Sequence, residues 1–371
     1  MSYKEEKNNQ IKAKVLDAVK ELPEYAASYI LSISGATSPS TCLEYYRDIR
    51  RFLLFVVESC VYDTSDIRDI TAEMLENLDV DFLNTYFNLY LGAYENNGKI
   101  QSNKKVSIRR KMSSVKSVYA FMTENELILK NPMLRIKPPK VTDKEIIYLN
   151  SEETHDFLKT VKHGKSNSSS MQEKYHSLQE RRDYALVNLL LGTGIRVSEC
   201  VGLDIKDIDI SHSALHITRK GGNEDVVYMN DDLTEIMADY LTYRKTLNPL
   251  PGHENALFLS LQRKRMGVRS VEVLIKKYKD QTGISKHITP HKLRSTYGTN
   301  LYEATGDLYL TAKNLGHRSV TTTEKFYSSM SEKHKYENRN AYKPDKISYM
   351  NFYTYFRPPK KQNYGNIKNI Q

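Results

Sequence analysis

Residues 288–306 read ITPHKLRSTYGTNLYEATG, and the stretch opens with a helix start, Thr289 as cap and Pro290 in the first turn. His291 and Arg294 then stand at i and i+3 on one face, close to a helix N-terminus that itself favours an anion. A lone histidine near a helix start is more often a satisfied surface or core residue. A histidine and an arginine sharing one face at an anion-attracting end point instead to binding. The device recurs in LGHRSVTTTEKFYSS (315–329): Gly316 closes a helix, His317 occupies the turn, and Thr321 with Glu324 forms a capping box for a helix carrying Tyr327. Backbone geometry thus places two histidines, an arginine and a tyrosine, none of which is needed to build a core.

Upstream lies GTGIRVSECVGLDIKDIDI (192–210), which continues the apolar helix DYALVNLLLGTG (183–194). Gly192 and Gly194 stop that helix and permit a tight turn, leaving Arg196 at the start of the next segment. Glu199, three residues on, either fixes the guanidinium by a bidentate pair or makes an ordinary intrahelical ion pair. IDISHSALHITRKGGNEDVVYMN (208–230) alternates apolar and polar residues around a Gly-Gly turn, and its second half reads as a β-hairpin with Lys220 at the tip. A lysine there either reaches a substrate or only solubilises the hairpin. Arg196, Lys220, His291, Arg294, His317 and Tyr327 include no carboxylate pair, and the chain shows no HExxH or DxD ligand set around them. The expected site is therefore cationic, with no metal and no cofactor. Such a cluster suits a phosphodiester whose transition state gathers negative charge on its non-bridging oxygens. Tyrosine, with a pKa of about 10, becomes a nucleophile when a positive field lowers the cost of its phenolate and a base takes the proton. The product would be a phosphotyrosyl ester.

Farther upstream, from Pro23 to about Met133, the pattern is helical. SPSTCLEYYRDIRRFLLFVVES (38–59) puts Leu43, Tyr46, Ile49, Phe52, Leu53 and Val56 on one stripe, with Ser38 and Pro39 as cap and first-turn proline. Further helices are expected over TAEMLENLDVDFLNTYFNLYLGAY, opening at Thr71, and over VSIRRKMSSVKSVYAFMTENELI, from near Ser107. The last of these and its approach carry Lys104, Lys105, Arg109, Arg110, Lys111 and Lys116, a run that is either a phosphate-tracking face or a solvated helix face. NPMLRIKPPKVTDKE (131–145), with three prolines, breaks any regular element, and HGKSNSSSMQEKYHSLQERRD (163–183) reads as a polar surface loop. The expected chain is mainly α. Its parts are an extension over 1–22, a helical bundle over 23–133, a linker over 134–145, a mostly helical domain with one small antiparallel sheet over 146–330, and a tail over 331–371.

At 371 residues the chain is long enough for two domains, each with its own core. Its 55 Lys+Arg against 45 Asp+Glu give a net charge of +10, so nucleic acid is the first partner to consider. The three cysteines, Cys42, Cys60 and Cys200, lack the spacing of a disulfide framework or zinc site and are expected to be small buried residues in a reducing compartment. The start, MSYKEEKNNQIKAK, has no apolar signal region, and no stretch approaches the roughly 18 apolar residues of a membrane span. A cytoplasmic protein with no membrane partner is expected.

At GTGIRVSECVGLDIKDID, HITRKGGNEDVVYMN, ITPHKLRSTYGTNLYEATGD and LGHRSVTTTEKFYSSM the chain resembles the tyrosine recombinases of the phage integrase family, most of all their Xer-type bacterial members. Six separated residues agree in order and approximate spacing, including the interval of 24 from Arg196 to Lys220. The resemblance implies a SAM-like core-binding bundle followed by a tyrosine-recombinase catalytic domain. It implies that Arg196 and Arg294 bind the scissile phosphate and that Lys220 protonates the leaving 5′ hydroxyl. His291 would accept the nucleophile's proton, His317 would add a phosphate contact, and Tyr327 would be the nucleophile. One departure stands out: Tyr327 follows His317 by ten positions, where nine is the common family spacing. The family also implies double-stranded DNA with a specific core site, a homo-tetramer on two such sites, a Holliday junction, and neither ATP nor metal. Chromosome-dimer resolution and integration or excision of a mobile element need the same chemistry. A type IB topoisomerase and a catalytically silent DNA-binding factor are the alternatives. The tail, with nine Lys/Arg against three Asp/Glu and six tyrosines, would be a protomer-docking or DNA-touching segment, or plain terminal disorder.

Overall fold

Ser38 accepts a hydrogen bond from the Thr41 amide and Pro39 opens the first turn of a 20-residue helix, Pro39–Glu58, whose apolar stripe forms the spine of the first half of the chain. The computed structural model describes residues 3–96, 98–142, 146–164, 179–219, 222–317, 319 and 324. It divides into two compact units, the first of residues 1–144 with 218–223 and the second of residues 145–217 with 224–371.

The first unit comprises α1 (Tyr3–Ala18), α2 (Glu24–Ile33), α3 (Pro39–Glu58), α4 (Ala72–Glu76), α5 (Val80–Thr85), a π-helical stretch (Tyr86–Tyr90), the strands β1 (Ala93–Asn96) and β2 (Lys99–Ser102), and α6 (Lys105–Glu124). On α3 the expected stripe holds: Tyr46, Ile49, Phe52, Leu53 and Val56 are buried, and only Leu43 stays partly exposed. Phe52 meets Tyr86 edge-on, with ring centroids 5.1 Å apart, and its ring also packs against buried Tyr119 of α6 at 6.3 Å.

Three features of this unit differ from the sequence reading. Residues 1–22 are no mere extension: α1 packs on α3, and Val15, Val19 and Leu22 enter the core. The single helix expected from Thr71 is broken into α4, α5 and the π-helical stretch. Thr71 does cap α4, but Asn77 ends it, and Asp79 in extended conformation restarts the chain. The third is a hairpin: ENNGK carries an Asn-Gly turn signal with Gly98 at φ +73°, and β1 pairs antiparallel with β2, Tyr94 opposite Gln101. The linker region also contributes to packing, since Met133 and Ile136 around the short 3-10 turn Pro132–Arg135 are buried in the same core.

Asp48 is 1% exposed on α3, an acid on an otherwise apolar face. Arg110 of α6 grips it with two hydrogen bonds of 2.6 and 2.9 Å, Lys111 donates at 3.2 Å and Ser114 at 2.8 Å. Removing one member of a buried charge pair costs about 3–5 kcal/mol, and the 43% exposure of Arg110, which lets that cation return to water, favours the lower end. Asp48→Ala is therefore expected to destabilise this unit by about 3 kcal/mol, read from its urea unfolding midpoint. An unchanged midpoint would mean that solvent, not Asp48, satisfies the two cations.

The second unit holds α7 (Ser151–His163), α8 (Glu180–Thr193), α9 (Val197–Gly202), β3 (Ile208–Asp209), β4 (Ala214–Thr218), β5 (Glu224–Tyr228), α10 (Asp231–Lys245), α11 (Val268–Gln281), α12 (Pro290–Thr305) and α13 (Leu308–Asn314). Asn150 forms a full capping box with Glu153 at the start of α7. The central element is α8, whose Leu186, Leu189 and Leu190 are fully buried. It is pinned to α11 by Tyr278, whose hydroxyl donates to the buried Asp183 carboxylate at 2.8 Å, while Arg182 donates to the other carboxylate oxygen. The expected hairpin is present as β4 and β5, joined by short β3 into an antiparallel sheet in the order β3-β4-β5. Most of the serine-rich loop and the whole tail 331–371 lie outside the described residues. Cys42 and Cys200 are buried as expected, but Cys60 is exposed. Among the described residues no helix is long and apolar enough to cross a membrane.

Candidate active site

Four of the six residues singled out from the sequence fall together in the second unit, delivered by three turns. The first turn ends α8. Gly194 caps that helix in the left-handed region, φ +61°, and the chain leaves it extended at Arg196. Glu199 of α9 resolves the two readings of its role: its carboxylate accepts the Arg196 amide at 2.8 Å and the Arg196 guanidinium at 2.9 Å, so it both caps α9 and aims the side chain. Glu199 is nearly buried, whereas the Arg196 side chain keeps 33% of its surface.

The second delivery is α12. Pro290 occupies its first turn and Thr289 its N-cap position, but the Thr289 hydroxyl makes no capping bond, in contrast to the expectation. His291 and Arg294 follow at the positive end of this helix. Arg294 is 5% exposed. Its Nη1 donates to the Gly194 carbonyl at 2.6 Å, and its Nη2 donates to the Leu315 carbonyl.

The third is the turn after α13. His317 N–H bonds back to the Ala312 carbonyl and Gly316 N–H to that of Lys313, with Gly316 at φ +60°, a Schellman closure that leaves His317 just outside the helix. Arg196 Nη2 donates to the Gly316 carbonyl at 3.2 Å. The two arginines therefore staple all three turns together through backbone carbonyls at 194, 315 and 316.

His291 is solvent-exposed by area, yet the protein around its ring disfavours the imidazolium: burial first, then Lys292, Arg294 and Arg196, lower its pKa from the ordinary 6.5. A folded pKa below the unfolded one keeps the ring neutral at neutral pH, and the stability this contributes is lost as the pH falls through the folded value. A neutral imidazole beside two guanidiniums can accept a proton while they hold an anion. Lys220 and Tyr327 lie outside the described residues.

The six basic residues of the first unit are divided by their contacts. Lys104, Lys105, Arg109 and Arg110 are exposed. Arg110 and Lys111 are tied to Asp48, and Lys116 donates to the Ile136 carbonyl at 2.7 Å. Asp48 escaped the sequence reading, although a carboxylate three residues after Tyr45 and four before Phe52 falls on the helix's inward face. The backbone acceptors at 194, 315 and 316 leave no sequence signal, because every residue carries a carbonyl.

Residues 148–334 match the phage integrase family, and residues 28–126 match the N-terminal SAM-like domain of phage integrases. The tyrosine recombinase XerS of Streptococcus agalactiae is 30% identical over 345 residues, covering 86% of this chain and 96% of the relative. XerS of Streptococcus pneumoniae is likewise 30% identical, over 346 residues with the same coverage. Among solved structures, the XerH site-specific recombinase bound to its difH substrate superposes with a TM-score of 0.59 at 18% identity, over 81% of this chain and 80% of that one. A lambda integrase dimer bound to a core site gives 0.57 at 16% identity, over 81% and 92%. These likenesses and the two matched domains agree with the helical bundle and the small sheet, and the chain belongs to the phage integrase family of tyrosine recombinases, enzymes that cleave and rejoin DNA.

Proposed function

We propose that the protein is a site-specific recombinase that exchanges strands of double-stranded DNA through a 3′-phosphotyrosyl intermediate and a Holliday junction. The observation that carries this reading is the joining of Arg196, Arg294, His291 and His317 by three interlocked turns. Arg196 and Arg294 hold the non-bridging oxygens of the scissile phosphate, with His317 as a further contact. The Tyr327 hydroxyl attacks phosphorus as its proton passes to His291, and the bond to the 5′ oxygen breaks as Lys220 protonates that oxygen. Each step exchanges one phosphodiester for another, so no ATP or other cofactor is consumed. Two pairs of protomers in a homo-tetramer on two core sites perform the two exchanges in turn, and Lys104, Lys105, Arg109 and the outer side of Arg110 supply backbone contacts. The reaction serves chromosome-dimer resolution or the integration and excision of a mobile element in the cytoplasm.

The test begins with sequencing DNA that becomes covalently attached to the full-length protein in its source cell. One inverted-repeat core is expected, and two linear duplexes carrying it should recombine in excess EDTA. Relaxation of supercoiled plasmid without that core, in the absence of recombination, would establish the topoisomerase alternative. Sequence-specific binding with no adduct would establish a DNA-binding factor.

A further inference from the structure

We propose that Tyr297 is a positioning residue: its ring, seated against the bare Cα of Gly194, sets the spacing between the turn that bears Arg196 and the helix that bears His291 and Arg294. A methyl group built on Gly194 would lie 2.2 Å from Tyr297 Cδ1 and 2.9 Å from its Cγ and Cε1, so the ring occupies the space a side chain would need. Gly194 is thus held from α12 at two points, by the Tyr297 ring on its Cα side and by Arg294 Nη1 on its carbonyl. Arg196 lies two residues on and is itself keyed to Gly316. A displacement at Gly194 therefore reaches both arginines at once. The left-handed φ of +61° and the ring's approach both require glycine at this position. The sequence gives Tyr297 the look of a packing residue on α12, and its contact with the turn is what sets it apart.

This inference rests on the proposed strand cleavage, so one arm of its test needs no DNA. In the full-length protein, the His291 imidazole is titrated by NMR, with its resonance assigned through His291→Asn. Tyr297→Phe, which keeps the ring, should leave the depressed midpoint in place. Tyr297→Leu should raise it toward the ordinary 6.5, because the enclosure and the two guanidiniums that lower it are no longer held in register. An unmoved midpoint in Tyr297→Leu overturns the proposal whatever the DNA assays show. In the second arm, single-turnover cleavage of a nicked duplex carrying the recovered core is measured at saturating DNA. Tyr297→Leu should be about 10²-fold slower with unchanged Kd, the size expected of a misplacement of about 1 Å, while Tyr297→Phe matches the parent. Equal losses of rate and affinity, or a defect in Tyr297→Phe, also overturn it. Should Tyr297→Leu fail to fold, Gly194→Ala presses on the same contact from the other side and must show the same slow cleavage with intact binding, and parental cleavage there refutes the idea. Absence of any adduct from the parent protein overturns the recombinase reading instead, and the titration still decides the role of Tyr297.

Discussion

Tyr327→Phe is expected to bind the core site as the parent does and to form no SDS-resistant DNA adduct, because the substitution removes one oxygen and nothing else. The effect should be complete and not merely large. A positive cluster lowers the cost of a phenolate only for the hydroxyl delivered to it, and among the described residues the two tyrosines of α12 are engaged in packing. Tyr302 is buried in α12 at 6% exposure, and the Tyr297 ring is seated on Gly194. The ten-residue interval from His317 to Tyr327 gives the experiment its edge, since it is one longer than the family's common spacing. An adduct that survives in Tyr327→Phe would move the nucleophile to another tyrosine.

The second large effect is expected at Lys220. Lys220→Ala should cleave ordinary DNA roughly 10²–10⁴-fold more slowly, the usual worth of general acid catalysis. Replacing the bridging 5′ oxygen of the scissile phosphate by sulfur should restore the rate, because a thiolate leaves without a proton. Of the described residues on either side of Lys220, the Arg219 amide donates to the Asn223 carbonyl at 2.7 Å, and Gly222 takes φ +93°. Equal defects on the oxygen and sulfur substrates would assign Lys220 to positioning DNA.

What could be read from the sequence, and what could not, divides along a physical line. Local chemistry was legible. Ser38–Pro39 starts α3, Gly194 stops α8, and Gly316 throws His317 out of α13, each by interactions within a few residues. The joining of Arg196, His291, Arg294 and His317 was legible only through resemblance, since their contacts span intervals of up to 120 residues. The break at Asn77–Asp79 was missed because the flanking apolar residues keep a helical period across it, while tertiary packing of Leu75, Leu78 and Leu83 decides the conformation. The hairpin after it did carry its signal, Asn97–Gly98, but exposed residues in β2 gave no alternation to confirm it. The basic run on α6 was legible as charge and not as role. Half of it is tied inward because one buried acid, Asp48, and one carbonyl, that of Ile136, sit where only the fold could put them.

Apart from the Glu199 carboxylate on Arg196, the acceptors described for Arg196 and Arg294 belong to peptide groups, and this makes those contacts insensitive to side-chain mutation in an unusual way. Exchanging buried Leu315 for another apolar residue removes no acceptor, and the clamp is reached from these positions only by changing backbone conformation, as at Gly194 and Gly316, where φ is +61° and +60°. Neutral drift can therefore rewrite a side chain such as that of Leu315 while its carbonyl still meets Arg294. An engineer altering what this edge of the unit presents to its surroundings has the same freedom at such positions, with Glu199, Tyr297 and the two glycines as the fixed points.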